Sequence, residues 1–399
     1  MYDHAVQDLC IHKSVIGTDD NLVVKCDGTR EWTQTVPEDL PVFAGALLPE
    51  TSRCLATALR LEHRLAPIFG SEKWFNILSE LNHEGEVRWS KLVSAREHET
   101  LLNAFVPKLV EALTDIDLRY LESTWVNESV FLSQLERARV DAEQWRYNVF
   151  TGRGNVSATK TFMPHEDGLT ARVIYDRFAT RTGRLTVESG PNILTLNRSM
   201  RDMIIPREPG RVVFQADFAA LEPRIIMYEA GKRCTHHDLY EHVASIANLS
   251  VDRSIVKQVI ISELYGASHY KLEDELGTTL AQRIIDAVTQ VFNIKHLTRR
   301  LREQYTSDLF IRNRYGRKVL IDDPRDSMLV NSYTQSTGVD VSLLGFIQLM
   351  EDLGDEFIPL FVLHDALIIE GPSIPSGHTR VRVPGYVQNF IIKFKELIA

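Results

Sequence analysis

The spacing of apolar residues changes along the chain, from short runs to a helical repeat and then to a mixture of the two. Between Asp8 and Gly17, and again from Asn21 to Cys26, short apolar runs are broken by Asp19-Asp20 and Asp27-Gly28. Turn residues at those breaks predict a small β element. From about Pro49 to Arg146 apolar residues recur at three and four, as in Leu101, Leu102, Phe105, Leu109 and Leu113, which predicts a mostly helical region. Thr151-Gly152-Arg153-Gly154-Asn155 interrupts it. This stretch lacks the Lys-Ser/Thr ending of a phosphate-binding P-loop and reads as a linker or turn. Beyond about residue 166 the pattern is mixed: a strand over Val212 to Asp217, helices between Leu221 and Tyr305, and a strand pair around Leu363 to Ile369.

Composition narrows this little. With 399 residues the chain has room for two or three domains, and its apolar and charged fractions are those of a globular protein. No apolar run approaches a membrane span and the start carries no signal-peptide pattern, so a cytoplasmic protein without membrane contact is expected. Cys10, Cys26, Cys54 and Cys234 lie far apart, which suggests reduced thiols and neither a zinc site nor a disulfide framework. Of the formal charge of −9, about −7 falls within residues 1–160 and about −2 in the remainder, so a nucleic-acid surface must be local. Basic clusters at Lys295 to Arg302 and Arg312 to Lys318 are equally consistent with solvated faces.

Three constellations carry chemistry. In RVVFQADFAALEPRI an apolar strand delivers Asp217 at its end, and a helix opens near Leu221 with Pro223 in its first turn. A carboxylate placed there suits Mg²⁺, which prefers one or two carboxylates and leaves its other positions to water and phosphate; alone it is equally a turn or cap residue. In DRSIVKQVIISELYGAS, Arg253, Lys257 and Ile261 fall on one helical face, with Tyr265 a turn further on and Gly266 as a natural stop. Two cations without carboxylates four residues away suit a triphosphate, or else form a plain basic stripe. In PLFVLHDALIIEG two apolar strands flank His364-Asp365, an acidic placement that is costly unless the turn is exposed or binds something.

In this order the segments resemble family A (DNA polymerase I-like) DNA polymerases. Asp217-Phe-Ala-Ala-Leu-Glu222-Pro-Arg224 resembles motif A, D-Y-S-Q-I-E-L-R. Arg253, Lys257 and Tyr265-Gly266 resemble motif B, and His364-Asp365 motif C. Thr182-Gly183-Arg184-Leu185 with Pro191-Asn192, the stretch Tyr315-Gly316-Arg317-Lys318, and Asn331 to Gly338 resemble three further family segments in the right order. The likeness covers about residues 166–372 and is specific as an ordered set.

The resemblance implies an α+β, right-hand polymerase fold with a palm sheet, helical fingers and a helical thumb-like region. It implies that Asp217 and Asp365 hold two Mg²⁺ ions, with Mn²⁺ as an alternative, and that Arg253 and Lys257 grip the incoming deoxynucleoside triphosphate. Glu222 would exclude a ribose 2′-hydroxyl, Tyr265 would lie beside the templating base, and Ile261 would stand where an aromatic residue normally stacks. Arg184, Asn331, Gln335, His364 and Arg317 would contact primer–template DNA. The expected layout is residues 1–95 without an assigned role, 96–165 thumb-like, 166–230 and 325–399 palm, and 231–324 fingers. Too little chain precedes the palm for the family's exonuclease domain, so proofreading is not expected; a processivity or replisome protein is a possible partner. Ala366, where motif C usually has glutamate, and Ile261 motivate the alternative of a catalytically weak polymerase-like protein that binds primer–template or a replication partner.

Overall fold

A computed structural model of the chain describes residues 8–16, 18–25, 27–37, 40, 42–43, 89–91, 93–115, 120, 124, 126–152, 154–177, 179–234, 236–246, 252–265, 274 and 276–397. These fall in two compact units, Met1–Leu121 and Glu122–Ala399. The boundary lies inside the stretch 96–165 expected to be thumb-like.

The first unit carries a four-stranded sheet in the order β3-β2-β1-β4, built from β1 (Leu9–Ile11), β2 (Asn21–Val24), β3 (Arg30–Thr33) and β4 (Val42–Phe43). The anticipated β element is therefore present, although a one-turn helix, α1 (Lys13–Ile16), replaces the end of its first run. A long helix follows, α2 (Ala95–Asp115), whose first turn is capped where the Glu97 amide donates to Ser94 Oγ at 3.1 Å. The helices expected between residues 49 and 88 lie outside the described residues.

In the second unit, α3 (Val126–Ser133), β5 (Arg139–Val140), α4 (Ala142–Thr151) and α5 (Val156–Lys160) lead in. The Gly-rich interruption is a helix-to-helix turn: Gly152 closes α4 at φ 65° and Asn155 caps α5. Three short strands come next, β6 (Ile174–Asp176), β7 (Thr186–Ser189) and β8 (Ile204–Ile205).

The central sheet is antiparallel throughout, in the order β12-β13-β9-β15-β14. Its strands are β9 (Val212–Phe218), β12 (Ile358–Leu363), β13 (Ala366–Gly371), β14 (His378–Arg382) and β15 (Asn389–Glu396). Between β9 and β12 the chain runs through α6 (Leu221–Glu229), α7 (Leu239–Ile246), α8 (Arg253–Tyr265), α9 (Thr278–Phe292), α10 (Ile294–Asp308), the small hairpin β10 (Ile311–Arg312) and β11 (Lys318–Val319), and α11 (Asp326–Leu353). Helix α9 buries Ala281, Ile284, Ile285, Val288 and Phe292, the stripe its sequence prescribes, and ends at Asn293 with φ 43°. Helix α8 packs against α7, α9 and α11.

The 28-residue α11 covers one sheet face. Phe346 on it meets Phe218 of β9 with ring centroids 5.4 Å apart. At Gly345 an added Cβ would stand 2.6 Å from the Phe218 ring, so helix and sheet approach closely only because glycine is there. Antiparallel sheet and segregated helices make this an α+β fold, as anticipated.

Candidate active site

Alternation along β9 sends Phe214, Ala216 and Phe218 into the core and leaves Asp217 on the opposite face. The β12–β13 hairpin turns at His364-Asp365, and His364 adopts φ 56° to make it. The Phe218 amide donates to the Asp365 carbonyl at 3.0 Å, and Ala366 lies directly across from Asp217 in the ladder. The two predicted aspartates thus meet at adjacent strand ends. Asp365 is exposed to the cleft, yet the protein around it displaces enough solvent that desolvation, and then the charge of Asp217, push its carboxyl up to about 6.

Both border a cleft of about 490 Å³ that α8 also lines, through Arg253, Lys257 and Ile261. Arg253 donates through Nε to Asp238 Oδ2 at 2.7 Å and lies over the Tyr240 ring, 4.9 Å from its centroid. Asp238 also accepts the Tyr240 and Glu241 amides as α7 begins. Burial raises its carboxyl, but Arg253 and those amides outweigh it and leave the group below the ordinary carboxylate range.

A second cavity of about 230 Å³ adjoins the first and is lined by Arg184, Glu222, Gln335, His364 and Asp365. Arg184 donates to Glu222 at 3.4 Å. Burial still raises the Glu222 carboxyl, reinforced by Asp365 and opposed by Arg184. His364 is held below its ordinary value by partial burial and by Arg184 and Arg201. One turn before Gln335 on α11, Asn331 accepts its amide at 2.7 Å. Glu222 and Asp365 border both cavities.

Not every predicted residue joins this group. The Tyr265 side chain and Gly266 lie outside the described residues. Arg317 is buried, donates to the Arg177 carbonyl at 2.8 Å and packs against Gly183, so its guanidinium is held within the fold and lines neither cavity. Cys10 and Cys234 are free and buried. Sequence reasoning also missed residues. Asp238 and Tyr240 hold Arg253 from another helix, and Lys393 and Lys395 of β15 enter the cleft floor. The period-two lysines in IIKFKE were the available signal for a shared strand face.

The donor set fits divalent cations: two adjacent carboxylates, one of them raised in part by the other's charge, open to a cleft with cations opposite. Among the described residues no group of three or more His, Cys, Asp or Glu could hold a metal, so the rest of any coordination would come from water and phosphate.

The pattern that defines DNA polymerase family A matches residues 155–383, and the chain belongs to that family. It is 25% identical over 205 residues to the DNA polymerase of Mycobacterium phage L5, covering 48% of this chain and 34% of the phage protein. To DNA polymerase I of Bacillus caldotenax it is 25% identical over 234 residues, covering 50% of this chain and 27% of the other. The chain therefore spans about a third of the length of such relatives. In fold it is similar to the POL domain of Pol1 from M. smegmatis, solved in complex with DNA primer–template and dNTP. The TM-score is 0.51 at 16% identity, covering 88% of this chain and 86% of that one. Among the described residues no helix is long and apolar enough to cross a membrane.

Proposed function

We propose that the chain is a template-directed DNA polymerase that adds deoxynucleotides to a primer 3′ end, working in the cytoplasm. The observation that carries this reading is that Asp217 and Asp365, at adjacent strand ends, line one cleft together with Arg253 and Lys257. Asp217 and Asp365 would hold two Mg²⁺ ions, or Mn²⁺; the chemistry such a pair supplies is activation of an attacking hydroxyl and stabilisation of the leaving pyrophosphate.

The protein's own groups bind and orient. Arg253, fixed by Asp238, offers a preset guanidinium to the triphosphate, and Lys257 one turn on adds a mobile point charge. Glu222, between the two cavities, blocks the 2′ position of the sugar. Arg184, Gln335 and His364 face the primer–template from the second cavity, Asn331 does so from one turn before Gln335 on α11, and Tyr265 stands beside the templating base. In this reading residues 166–230 and 325–399 form the palm, 231–324 the fingers and 96–165 a thumb-like part. The solved relative's bound primer–template and dNTP support the choice of ligands.

Primer extension tests the proposal. The chain extends a primed template with deoxynucleotides and Mg²⁺ or Mn²⁺, whereas Asp217→Ala and Asp365→Ala stop extension with circular dichroism unchanged. Extension by either folded variant rejects the two-metal assignment; primer–template binding without any extension by the wild type favours a non-catalytic polymerase-like protein.

A further inference from the structure

Strand β15 pairs with β9 so that Lys393 lies opposite Asp217 and Lys395 opposite Gln215. Phe394 between them packs edge-on against Phe214, with ring centroids 6.0 Å apart, so alternation turns the two lysines onto the cleft face. Each ends on a carboxylate that the proposed chemistry uses. Lys395 Nζ donates to Asp217 Oδ2. Lys393 Nζ stands 3.8 Å from Oδ2 of Asp238, the residue that fixes Arg253.

We propose that Lys395 is a built-in counter-cation for the metal carboxylates: it occupies Asp217 until a divalent ion displaces it, and so sets the metal concentration at which the site fills. The inference rests on reading Asp217 and Asp365 as metal ligands. Two like charges at adjacent strand ends repel unless a cation lies between or beside them. On the far side of Asp217 the ladder position is Ala366, which brings no charge of either sign. Lys395 supplies a positive charge from the near side, with Nζ donating to Asp217 Oδ2.

A lysine suits this role better than an arginine locked in a fork. Its ammonium is a compact charge on a flexible stem. The side chain is 45% exposed, so it can leave Asp217 for solvent at low cost. A metal ion must therefore break an ion pair before it binds, and the freed ammonium stays within reach and opposes it. Lys395 is in these terms a positioning residue, acting through Asp217.

The test is Mn²⁺ binding to the full chain without DNA or nucleotide, followed by electron paramagnetic resonance of the free ion, on wild type, Lys395→Met, Lys395→Arg and Asp217→Asn. Lys395→Met binds Mn²⁺ about fivefold more tightly than wild type, the change that loss of one partly exposed ion pair produces. Lys395→Arg, which keeps the charge, does not bind Mn²⁺ more tightly than wild type, and Asp217→Asn binds more weakly than wild type. In primer extension the Mg²⁺ concentration giving half-maximal rate falls in Lys395→Met by a similar factor. Unchanged or weaker Mn²⁺ binding in Lys395→Met, with Asp217→Asn still weakened, overturns the counter-cation and leaves the metal reading standing. Equal affinity in all four, Asp217→Asn included, rejects Asp217 as a metal ligand and the inference with it. Melting temperatures in chelator check folding, and Lys395→Gln replaces the methionine variant if that one melts early.

Discussion

Glu222 sits where the two cavities meet, touched by Arg184 from one side and biased by Asp365 from the other. A carboxylate held there by a guanidinium has a fixed position, and a fixed group can exclude a hydroxyl that a mobile one would admit. Glu222→Ala is expected to relax the preference for deoxynucleotides over ribonucleotides by roughly 10- to 100-fold, in the range that one pocket group contributes to discrimination. Incorporation kinetics with both sugars measure it; a wild type that already uses both equally removes Glu222 from the role. At this scale the sequence was informative where a residue's task depends on its own strand or turn. The positions of Asp217 at a strand end and Asp365 in a hairpin turn were legible because each depends on a local strand-and-turn pattern, while the chemistry expected of them came from the family resemblance. Arg317 was not, since its burial depends on Gly183 and Arg177, about 140 positions away in the case of Arg177.

Helix α8 presents a graded wall to the cleft: Arg253 tied to Asp238, Lys257 exposed, and Ile261 37% exposed with its branched side chain at the surface. Lys257→Ala should raise the apparent KM for deoxynucleotides and leave primer–template affinity within about twofold, because in the proposed reading the lost charge faces the triphosphate. Equal loss of DNA affinity would assign that face of α8 to DNA. At Ile261 the cleft is open, so Ile261→Phe has room for a ring that stacks on a base. Stacking contributes about 1–3 kcal/mol per base, and recovery of about 1.4 kcal/mol lowers the apparent KM about tenfold. An unchanged KM in the folded variant would mean that α8 does not handle the nucleotide base. The face of α8 followed from i, i+4, i+8 spacing. Its partner Asp238 did not, because a cap on one helix that also grips the next leaves no periodic trace.

Across the second unit, a buried ionic cluster joins segments that no local pattern connects. Arg177, just after β6, pairs with Glu128 of α3 and donates to Asp340 of α11 at 3.0 Å. Asn313, at the end of the β10 strand, donates to Asp340 at 2.6 Å and to Ser336 at 3.1 Å. Arg317, before β11, reaches the Arg177 carbonyl. Arg177, Glu128 and Asp340 are each at most 1% exposed, so both carboxylates draw on Arg177 for compensation, with the charge of Arg317 adding to it at Glu128. Burial pushes the Glu128 carboxyl up, and the charge of Arg177 pulls it back. Arg177 and Asp340 are 163 positions apart, which is why the cluster could not be read from the sequence. Arg177→Met removes the shared cation and leaves two acids buried together, and breaking a buried pair in this way costs about 3–5 kcal/mol. Arg302→Met removes an exposed pair with Asp326 and should cost at most about 1 kcal/mol. Urea midpoints of the two variants against wild type distinguish them. The cluster lines neither cavity, so Arg177→Met should keep the wild-type KM for deoxynucleotides at temperatures where it remains folded. A midpoint shift no larger than that of Arg302→Met would show that the cluster is not what holds α3, α11 and the β10–β11 hairpin together. A raised KM in the folded variant would show instead that its effect reaches the cleft through α11, which carries Asn331 and Gln335.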